Sequence, residues 1–241
     1  MTIQPLHKRH IQRVDTPLPP SWLRRRDTEP DDDAAAPGPL IRVGPKHRFQ
    51  RQLVTAISEA QEVVLIASFL FSDKAIANAL MEASRRGVRV YALTASEARL
   101  SKVVADDAEF DIRMLQEHKA LLNRLAGHVL LRSAEHFHAK FLVTDPDTAP
   151  RGWLSTANFN RALLDSVELG VELTPSAAQD LAGWFNRMFW MEAERELREA
   201  GRLAKAPTAP ATPSEPGGTE ICVTTTSGRT LRAAVLELIE G

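Results

Sequence analysis

The interpretation of this chain starts from one stretch of sequence, His138-Ala-Lys140-Phe-Leu-Val-Thr-Asp145. Its apolar centre, residues 141–143, is typical of a buried β-strand. Side chains two positions apart on a strand project from the same face, so His138 and Lys140 are predicted to share one space. A nucleophile beside a fixed cation suits attack on a phosphodiester, because negative charge builds on the non-bridging oxygens. The stretch therefore predicts a phosphoryl-transfer site.

Two further strands are predicted just after this stretch. Residues 153–155 follow a turn rich in Pro and Asp, and they lead into Ser155-Thr156-Ala157-Asn158. Residues 167–173 alternate in a strand-like way and carry Glu168. Hydroxyl, carboxamide and carboxylate groups are thus expected close to His138.

These residues resemble the phospholipase D superfamily, whose signature is His-x-Lys-x4-Asp followed by a Gly/Ser-Ser-x-Asn-like element. The resemblance covers about residues 40–200 and includes the Glu-Leu-Gly-Val strand that begins at Glu168. Ser155-Thr156 stands where Gly-Ser is usual, and the connection from Asp145 to Ser155 is longer than is typical. The resemblance implies a phosphodiesterase, either a hydrolase such as a nuclease or a phosphatidyltransferase. Its substrate would be a phospholipid or a nucleic acid.

Members of this superfamily use two such motifs, one per lobe, within one chain or across a homodimer. This chain has one motif, so we predict that it pairs with a second lobe, most simply as a homodimer. One neutral His138 would attack phosphorus and form a phosphohistidine, while its protonated counterpart donates to the leaving oxygen. Two histidines in opposite protonation states predict a bell-shaped pH profile.

Each candidate side chain receives a role. Non-bridging oxygens would be bound by Lys140 and Asn158, with help from the hydroxyls of Thr156 and Ser155. Glu168 is expected to hydrogen-bond an imidazole Nδ1 and fix its tautomer. Asp145 belongs to the motif, but its strand parity differs from that of His138, so it is expected to support the loop. The candidate catalytic residues are His138, Lys140, Asp145, Asn158 and Glu168.

Three other interpretations remain open. His138 could be a structural histidine, and the half-site could be inert, in which case the protein is a binding or assembly module that needs a partner lobe. A metal site is also conceivable, because His136 and His138 point to one face with His128 nearby. No third ligand is evident, and Lys140 would repel a cation. No metal and no cofactor are therefore predicted.

Composition places the chain among ordinary globular proteins. It has 241 residues, of which 44% are hydrophobic and 25% charged, and its net charge of −1 excludes a global field that attracts nucleic acid or anionic lipid. A single cysteine, Cys222, excludes an intrachain disulfide and favours a reducing compartment. The sequence has no apolar run of about 20 residues and no signal-peptide core at its start. A cytoplasmic location without a transmembrane segment is predicted.

Four segments are expected along the chain. Residues 1–39 form a charged arm, predicted to be disordered, although its basic part could touch phosphates. Residues 40–201 form the phospholipase D-like domain, an α/β fold with a mixed, mostly parallel sheet and helices on both faces. Residues 202–219 are a Pro/Gly-rich linker. Residues 220–241 are the possible start of a truncated second repeat, because 222–241 align without gaps to 41–60.

The domain is predicted to begin with a helix-strand-helix-strand unit. The periodicity predicts a helix over 46–60, a strand over 63–68, a helix capped by Ser72 or Asp73, and a strand over 88–93. Further on, it predicts helical structure between 98 and 125, a strand over 129–132, and one long helix over 175–200. A strand-helix-strand order of this kind implies a right-handed parallel crossover.

Overall fold

The computed structural model of the protein describes residues 40–43, 47–104, 110–166, 168–207, 209 and 235–236. All of them belong to one compact unit, Pro37–Gly241. The predicted arm, residues 1–39, lies outside the described residues. So does the predicted second repeat, apart from residues 235–236, which are helical.

The elements alternate between strands and helices in the first half of the fold. The part of the chain that the structure describes has nine strands: β1 (Leu40–Val43), β2 (Val63–Ser68), β3 (Arg89–Ala95), β4 (Leu130–Ala134), β5 (Phe141–Thr144), β6 (Arg151–Ser155), β7 (Glu168–Glu172), β8 (Arg195–Glu199) and β9 (Arg202–Lys205). The helices are α1 (Arg48–Glu59), α2 (Lys74–Arg85), α3 (Glu97–Val104), α4 (Phe110–Leu125), α5 (Ala162–Asp165) and α6 (Pro175–Arg187), followed by a π-helix (Met188–Glu192). The predictions for α1, β2, α2 and β3 are confirmed to within a few residues, and the side chain that caps α2 is Asp73.

All nine strands form one sheet, in the order β1-β7-β6-β5-β2-β3-β4-β8-β9. The prediction of a mixed sheet is confirmed, but the expectation that it is mostly parallel is wrong. Only β2, β3 and β4 pair in parallel, and every other neighbour is antiparallel. Helical crossovers separate the parallel strands, whereas β5 and β6 are joined by a short turn that permits only an antiparallel pair.

Helices cover both faces of the sheet, as predicted. Alternate residues of β2 belong to two different cores because strand side chains alternate between faces. Val64 and Ile66 pack with residues of α1, α2 and α4. Leu65 and Ala67 pack with residues of α6 and the π-helix. Strand β2 is therefore buried on both sides, which its continuous apolar sequence indicated.

The helix predicted over 175–200 is shorter in the structure. Helix α6 ends at Arg187, the π-helix ends at Glu192, and the next residues form β8 and β9. The linker predicted from residue 202 overlaps with β9 at its start. The cause is tertiary: Arg132 on β4 is 1% exposed, and its guanidinium pairs with Glu196 on β8 at 2.9 Å. A buried arginine requires a partner, so Glu196 is held in a strand opposite it.

The same guanidinium also holds the π-helix. Arg132 donates to the carbonyl of Phe189 at 3.0 Å and lies over the ring of Trp190, 4.3 Å from its centroid. Phe185 in α6 and Phe189 in the π-helix are buried in the core on this face of the sheet. Among the helices that the structure describes, none combines the length and the apolar character needed to cross a bilayer.

Gly170 allows α1 to approach the sheet. A Cβ at this position would lie 2.4 Å from a ring carbon of Phe49, and Phe49 is buried on α1. A distance this short cannot be accommodated without moving the ring. The glycine in the Glu-Leu-Gly-Val strand is therefore explained by packing.

We predict that Gly170→Ala lowers the free energy of unfolding by about 1–3 kcal/mol, because it overpacks the contact with Phe49. Urea denaturation measures the loss. A Phe49→Leu change made in the same chain should relieve the clash, so the double variant should be more stable than the sum of the two single effects. Additive effects would contradict the assigned contact.

Candidate active site

His138 and Lys140 lie just before β5, at the end of the sheet where the parallel strands have their carboxyl ends. Both precede β5, which begins at Phe141, so the prediction that they are strand residues is wrong by a few positions. The carbonyl of Lys140 nevertheless accepts a hydrogen bond from the amide of Ser155 at 3.0 Å. This bond continues the pairing of β5 with β6 and keeps the two side chains close to the sheet.

The two side chains are in direct contact, as the sequence predicts. The Nζ of Lys140 lies 3.1 Å from Nδ1 and 3.3 Å from Nε2 of the His138 ring. It also donates to the carbonyl of His138 at 2.8 Å. Lys140 is buried at 8% exposure, while His138 is exposed. A fixed ammonium therefore lies beneath an imidazole that solvent can reach.

The surroundings favour the neutral form of the imidazole. Partial burial lowers the pKa of His138, and the positive charges of Lys140 and Arg99 lower it further. Burial also lowers the pKa of Lys140, and the nearby Glu168 opposes that shift. A histidine whose pKa lies below its ordinary value keeps a nitrogen lone pair at neutral pH, as a nucleophile requires.

Aromatic packing fixes one side of the imidazole. The ring centroid of Phe69 lies 4.9 Å from that of His138, and Nζ of Lys140 lies 5.8 Å from the Phe69 centroid. Phe69 directly follows β2 and is itself buried. The segment after β2 therefore forms one wall of the site.

The Asn158 carboxamide is attached to this same segment. Its Oδ1 accepts a hydrogen bond from the amide of Leu70 at 3.3 Å. The next amide, that of Phe159, donates to the hydroxyl of Ser68 at 2.9 Å. The structure thus brings Asn158 to the segment that also carries the ring packed on His138.

Within the chain, the side chains of Thr156, Ser155 and Glu168 bond to one another or to nearby backbone amides. The Thr156 hydroxyl donates to the carboxylate of Glu168 and accepts from the amide of Leu169. The Ser155 hydroxyl accepts from the amide of Ala157 at 3.0 Å. No bond between Glu168 and His138 occurs among the contacts of the described residues. Glu168 instead acts on Lys140 through its negative charge, which opposes the lowering of the Lys140 pKa.

Asp145 directly follows β5, so it lies at the opposite end of this strand from the site. It follows Lys140 by five positions of extended chain, a span of about 16 Å. Its carboxylate accepts from the amides of Gln61, Glu62 and Val63 at 2.8–2.9 Å. This confirms that Asp145 supports a loop, and it excludes Asp145 from the group of side chains around His138 in this chain.

The His138 imidazole is exposed to solvent. One cavity of about 250 Å³, lined by Thr94 and His118, lies behind the site, and another of about 460 Å³ lies beside the start of α2. Within the described ranges, no group of three His, Cys, Asp or Glu side chains is placed to hold a metal ion. A phosphodiester or a second lobe can therefore reach the imidazole from solvent.

Two neighbours of His138 were missed from the sequence. Phe69 and Arg99 follow β2 and β3, at the carboxyl ends of parallel strands, where binding groups in α/β folds concentrate. This position could have identified both residues from the sequence. His118 of α4 could not have been identified in this way, because a single histidine within a helical pattern has no distinguishing context.

Comparison with known proteins identifies the type of domain. The profile of a family described as "Cardiolipin synthase, PLD-like domain" matches residues 53–190, which is more than half of the chain. No curated protein sequence matches. Among solved structures, Nuc, a phospholipase D family member from Salmonella typhimurium, is 18% identical, with a TM-score of 0.46 over 65% of this chain and 97% of that one.

Two other solved structures are also similar. NucT from Helicobacter pylori is 16% identical, with a TM-score of 0.49, covering 64% of this chain and 95% of that one. Phosphatidylserine synthase from Haemophilus influenzae Rd KW20 is 13% identical, with a TM-score of 0.53, covering 69% of this chain and 40% of that one. At 13% identity, the similarity to the phosphatidylserine synthase supports the fold alone.

We predict that Asp145→Asn destabilises the fold without changing the site. It removes the charge that three amides share, which should cost about 2–3 kcal/mol of unfolding free energy. Asp147→Asn, at an exposed position two residues on, is the matched control and should change stability by less than about 0.5 kcal/mol. Urea denaturation gives both values. If the His138 pKa shifted by NMR in Asp145→Asn, the assignment to the opposite end of β5 would be wrong.

We predict that Lys140→Met raises the pKa of His138. The positive charge of Lys140 favours the neutral imidazole, so its removal should move the pKa of His138 upward, towards its ordinary value. An NMR titration of the His138 ring protons measures the shift. Lys74→Met, which removes a lysine that is not among the charges acting on His138, should leave the titration unchanged. A downward shift in Lys140→Met would contradict the electrostatic assignment.

Proposed function

The chain belongs to the family of phospholipase D-like domains, and on that premise we propose that it hydrolyses or transfers a phosphodiester with His138 as the nucleophile. The observation that carries the proposal is the contact between Nζ of Lys140 and the His138 ring at 3.1 Å. It supports the proposal because a neutral imidazole and a phosphate-binding cation are the two groups that such a displacement needs.

The contact also suggests how substrate would start the reaction. An ammonium has three N–H donors, and in Lys140 one is directed at the ring and one at the His138 carbonyl. A ring nitrogen that accepts a hydrogen bond has its lone pair engaged. A phosphate oxygen binding to Lys140 would draw the ammonium away from the ring, which frees the lone pair for attack on phosphorus.

The proposed reaction has two steps. The imidazole nitrogen of one His138 forms a bond to phosphorus while the bond to the leaving oxygen breaks, and the protonated His138 of a second lobe supplies the proton that this oxygen takes. Water then attacks the phosphohistidine, gives a proton to that second imidazole, and releases the first. Where an alcohol replaces water, the result is transfer. Lys140 and the Asn158 carboxamide would hold the non-bridging oxygens throughout.

Pairing of two lobes is part of the proposal. The sequence has one His-x-Lys motif, and the reaction needs a second imidazole in the opposite protonation state. The exposed position of His138 supports such an approach. A homodimer supplies the second group with no further protein, and we propose that the reaction needs no metal.

Turnover of a chromogenic phosphodiester in excess EDTA tests the activity. We expect the wild-type protein to be active and His138→Asn to lose at least about a hundredfold in kcat/KM, since the nucleophile is absent. Parallel assays with phosphatidylcholine and single-stranded DNA distinguish a lipid substrate from a nucleic acid. Activity that EDTA abolishes would contradict the metal-free scheme.

A mixing experiment tests whether two lobes share one site. If wild type and His138→Asn exchange subunits at equal concentration, about half of the wild-type protomers should lie in mixed dimers and lose activity. Independent sites would leave the activity per wild-type protomer unchanged. A wild-type protein that is monomeric and inactive would favour the alternative function, a binding or assembly module that requires a partner lobe.

A further inference from the structure

A three-residue segment after β2, here called the site loop (Phe69–Phe71), joins the two halves of the site. The Phe69 ring packs on the His138 imidazole, with ring centroids 4.9 Å apart. The Leu70 amide donates to Oδ1 of Asn158 at 3.3 Å. The position of the imidazole relative to the carboxamide therefore depends on how the site loop is held.

Three side chains hold the site loop, one at each of its residues. The Thr94 hydroxyl donates to the carbonyl of Phe69 at 3.1 Å, and the Ser68 hydroxyl donates to the carbonyl of Leu70 at 2.5 Å. The third is His118 of α4, whose Nδ1 lies 3.0 Å from both the amide nitrogen and the carbonyl oxygen of Phe71. Of the three, His118 alone reaches the loop from the helix layer.

His118 is built into the fold as a neutral group. It is 2% exposed, and burial lowers its pKa to about 4, with the charge of Lys119 acting in the same direction and that of Glu97 opposing it. A buried imidazole without a partner is costly, and the Phe71 backbone supplies the partner. Since the ring stays neutral at neutral pH, its contribution is a directed hydrogen bond, not a charge.

We propose that His118 is a positioning residue for the site: by holding the backbone of Phe71, it keeps Phe69 against His138 and the Leu70 amide on Asn158. Its effect on turnover rests on the proposed function, whereas its effect on the geometry does not. The parallel bridge between Phe71 and Phe159, next to Asn158, extends the same connection to the far side of the site.

Replacing the imidazole by an apolar group has a specific consequence. His118→Leu leaves the Phe71 amide without its buried acceptor, Nδ1, so the site loop must move to find water or another group. His138 then loses the ring that partly buries it, while the positive charges of Lys140 and Arg99 remain. The pKa of His138 should rise towards its ordinary value, and Asn158 should lose its fixed orientation.

The test compares three variants of α4. His118→Leu removes the hydrogen bond, and His118→Asn restores an acceptor, Oδ1, near the place of Nδ1. Leu125→Ala, at a fully buried position of the same helix, destabilises the core without touching the site loop. An NMR titration of His138, urea denaturation and steady-state kinetics are measured on each full-length protein.

We expect His118→Leu to raise the His138 pKa and to lower kcat by about tenfold or more, with a smaller change in KM. His118→Asn should recover most of both, and Leu125→Ala should lower stability while leaving the His138 pKa unchanged. The proposal is overturned if His118→Leu leaves that pKa where it is in the wild type. It is equally overturned if Leu125→Ala moves the pKa as much.

The cavity behind the site offers an independent check by chemical rescue. His118 lines this space of about 250 Å³, so His118→Ala leaves a gap that opens into it. Added imidazole should enter the gap and restore the His138 titration in His118→Ala, but not in His118→Leu, whose side chain fills the gap. Failure of imidazole to act on either variant counts against a directed hydrogen bond.

The His138 titration also separates this inference from the proposed function. A wild-type protein without turnover on any phosphodiester, whose His138 pKa still rises in His118→Leu, supports the positioning role and contradicts only the activity. Turnover that His118→Leu leaves unchanged, together with an unchanged pKa, supports the activity and overturns the positioning role.

Discussion

The antiparallel pairing of β5 with β2 is the constraint on which the site depends. Phe141 lies opposite Ala67, so the residues just before β5 meet the residues just after β2. His138 and Lys140 are thereby placed beside Phe69, although about 70 residues of chain separate them. Asp145 sits at the other end of the same pair and ties the amides before β2, which fixes the register from the opposite end.

Burial of Lys140 connects this geometry to chemistry. An ammonium that is largely removed from water acts more strongly on its neighbours than an exposed one, because less solvent screens it. His138 responds by staying neutral, and Glu168, held by Thr156, balances part of the charge. Cation, carboxylate and neutral imidazole thus form one coupled group at a solvent-accessible edge, suited to receive an anion.

The core elements could be predicted because their signals are local. The continuous apolar run of β2, the stripe on α1 and the cap at Asp73 each specify one element without reference to the rest of the fold. Strand β8 could not, because its charged sequence, with two Arg and two Glu among five residues, suits an exposed helix equally well. Only the buried charge of Arg132, on a distant strand, requires Glu196 to lie in the sheet.

The site shows the same division. Spacing in the sequence determined that His138 and Lys140 share one space, that Asp145 points elsewhere, and that Asn158 and Glu168 come from neighbouring strands. Tertiary structure alone decided that Glu168 bonds to Thr156, that Phe69 packs on the imidazole, and that His118 holds the site loop. The physical reason is range: the two-residue period of extended chain is fixed by local backbone geometry, whereas a hydrogen-bond partner is chosen among whatever groups packing brings within about 3 Å.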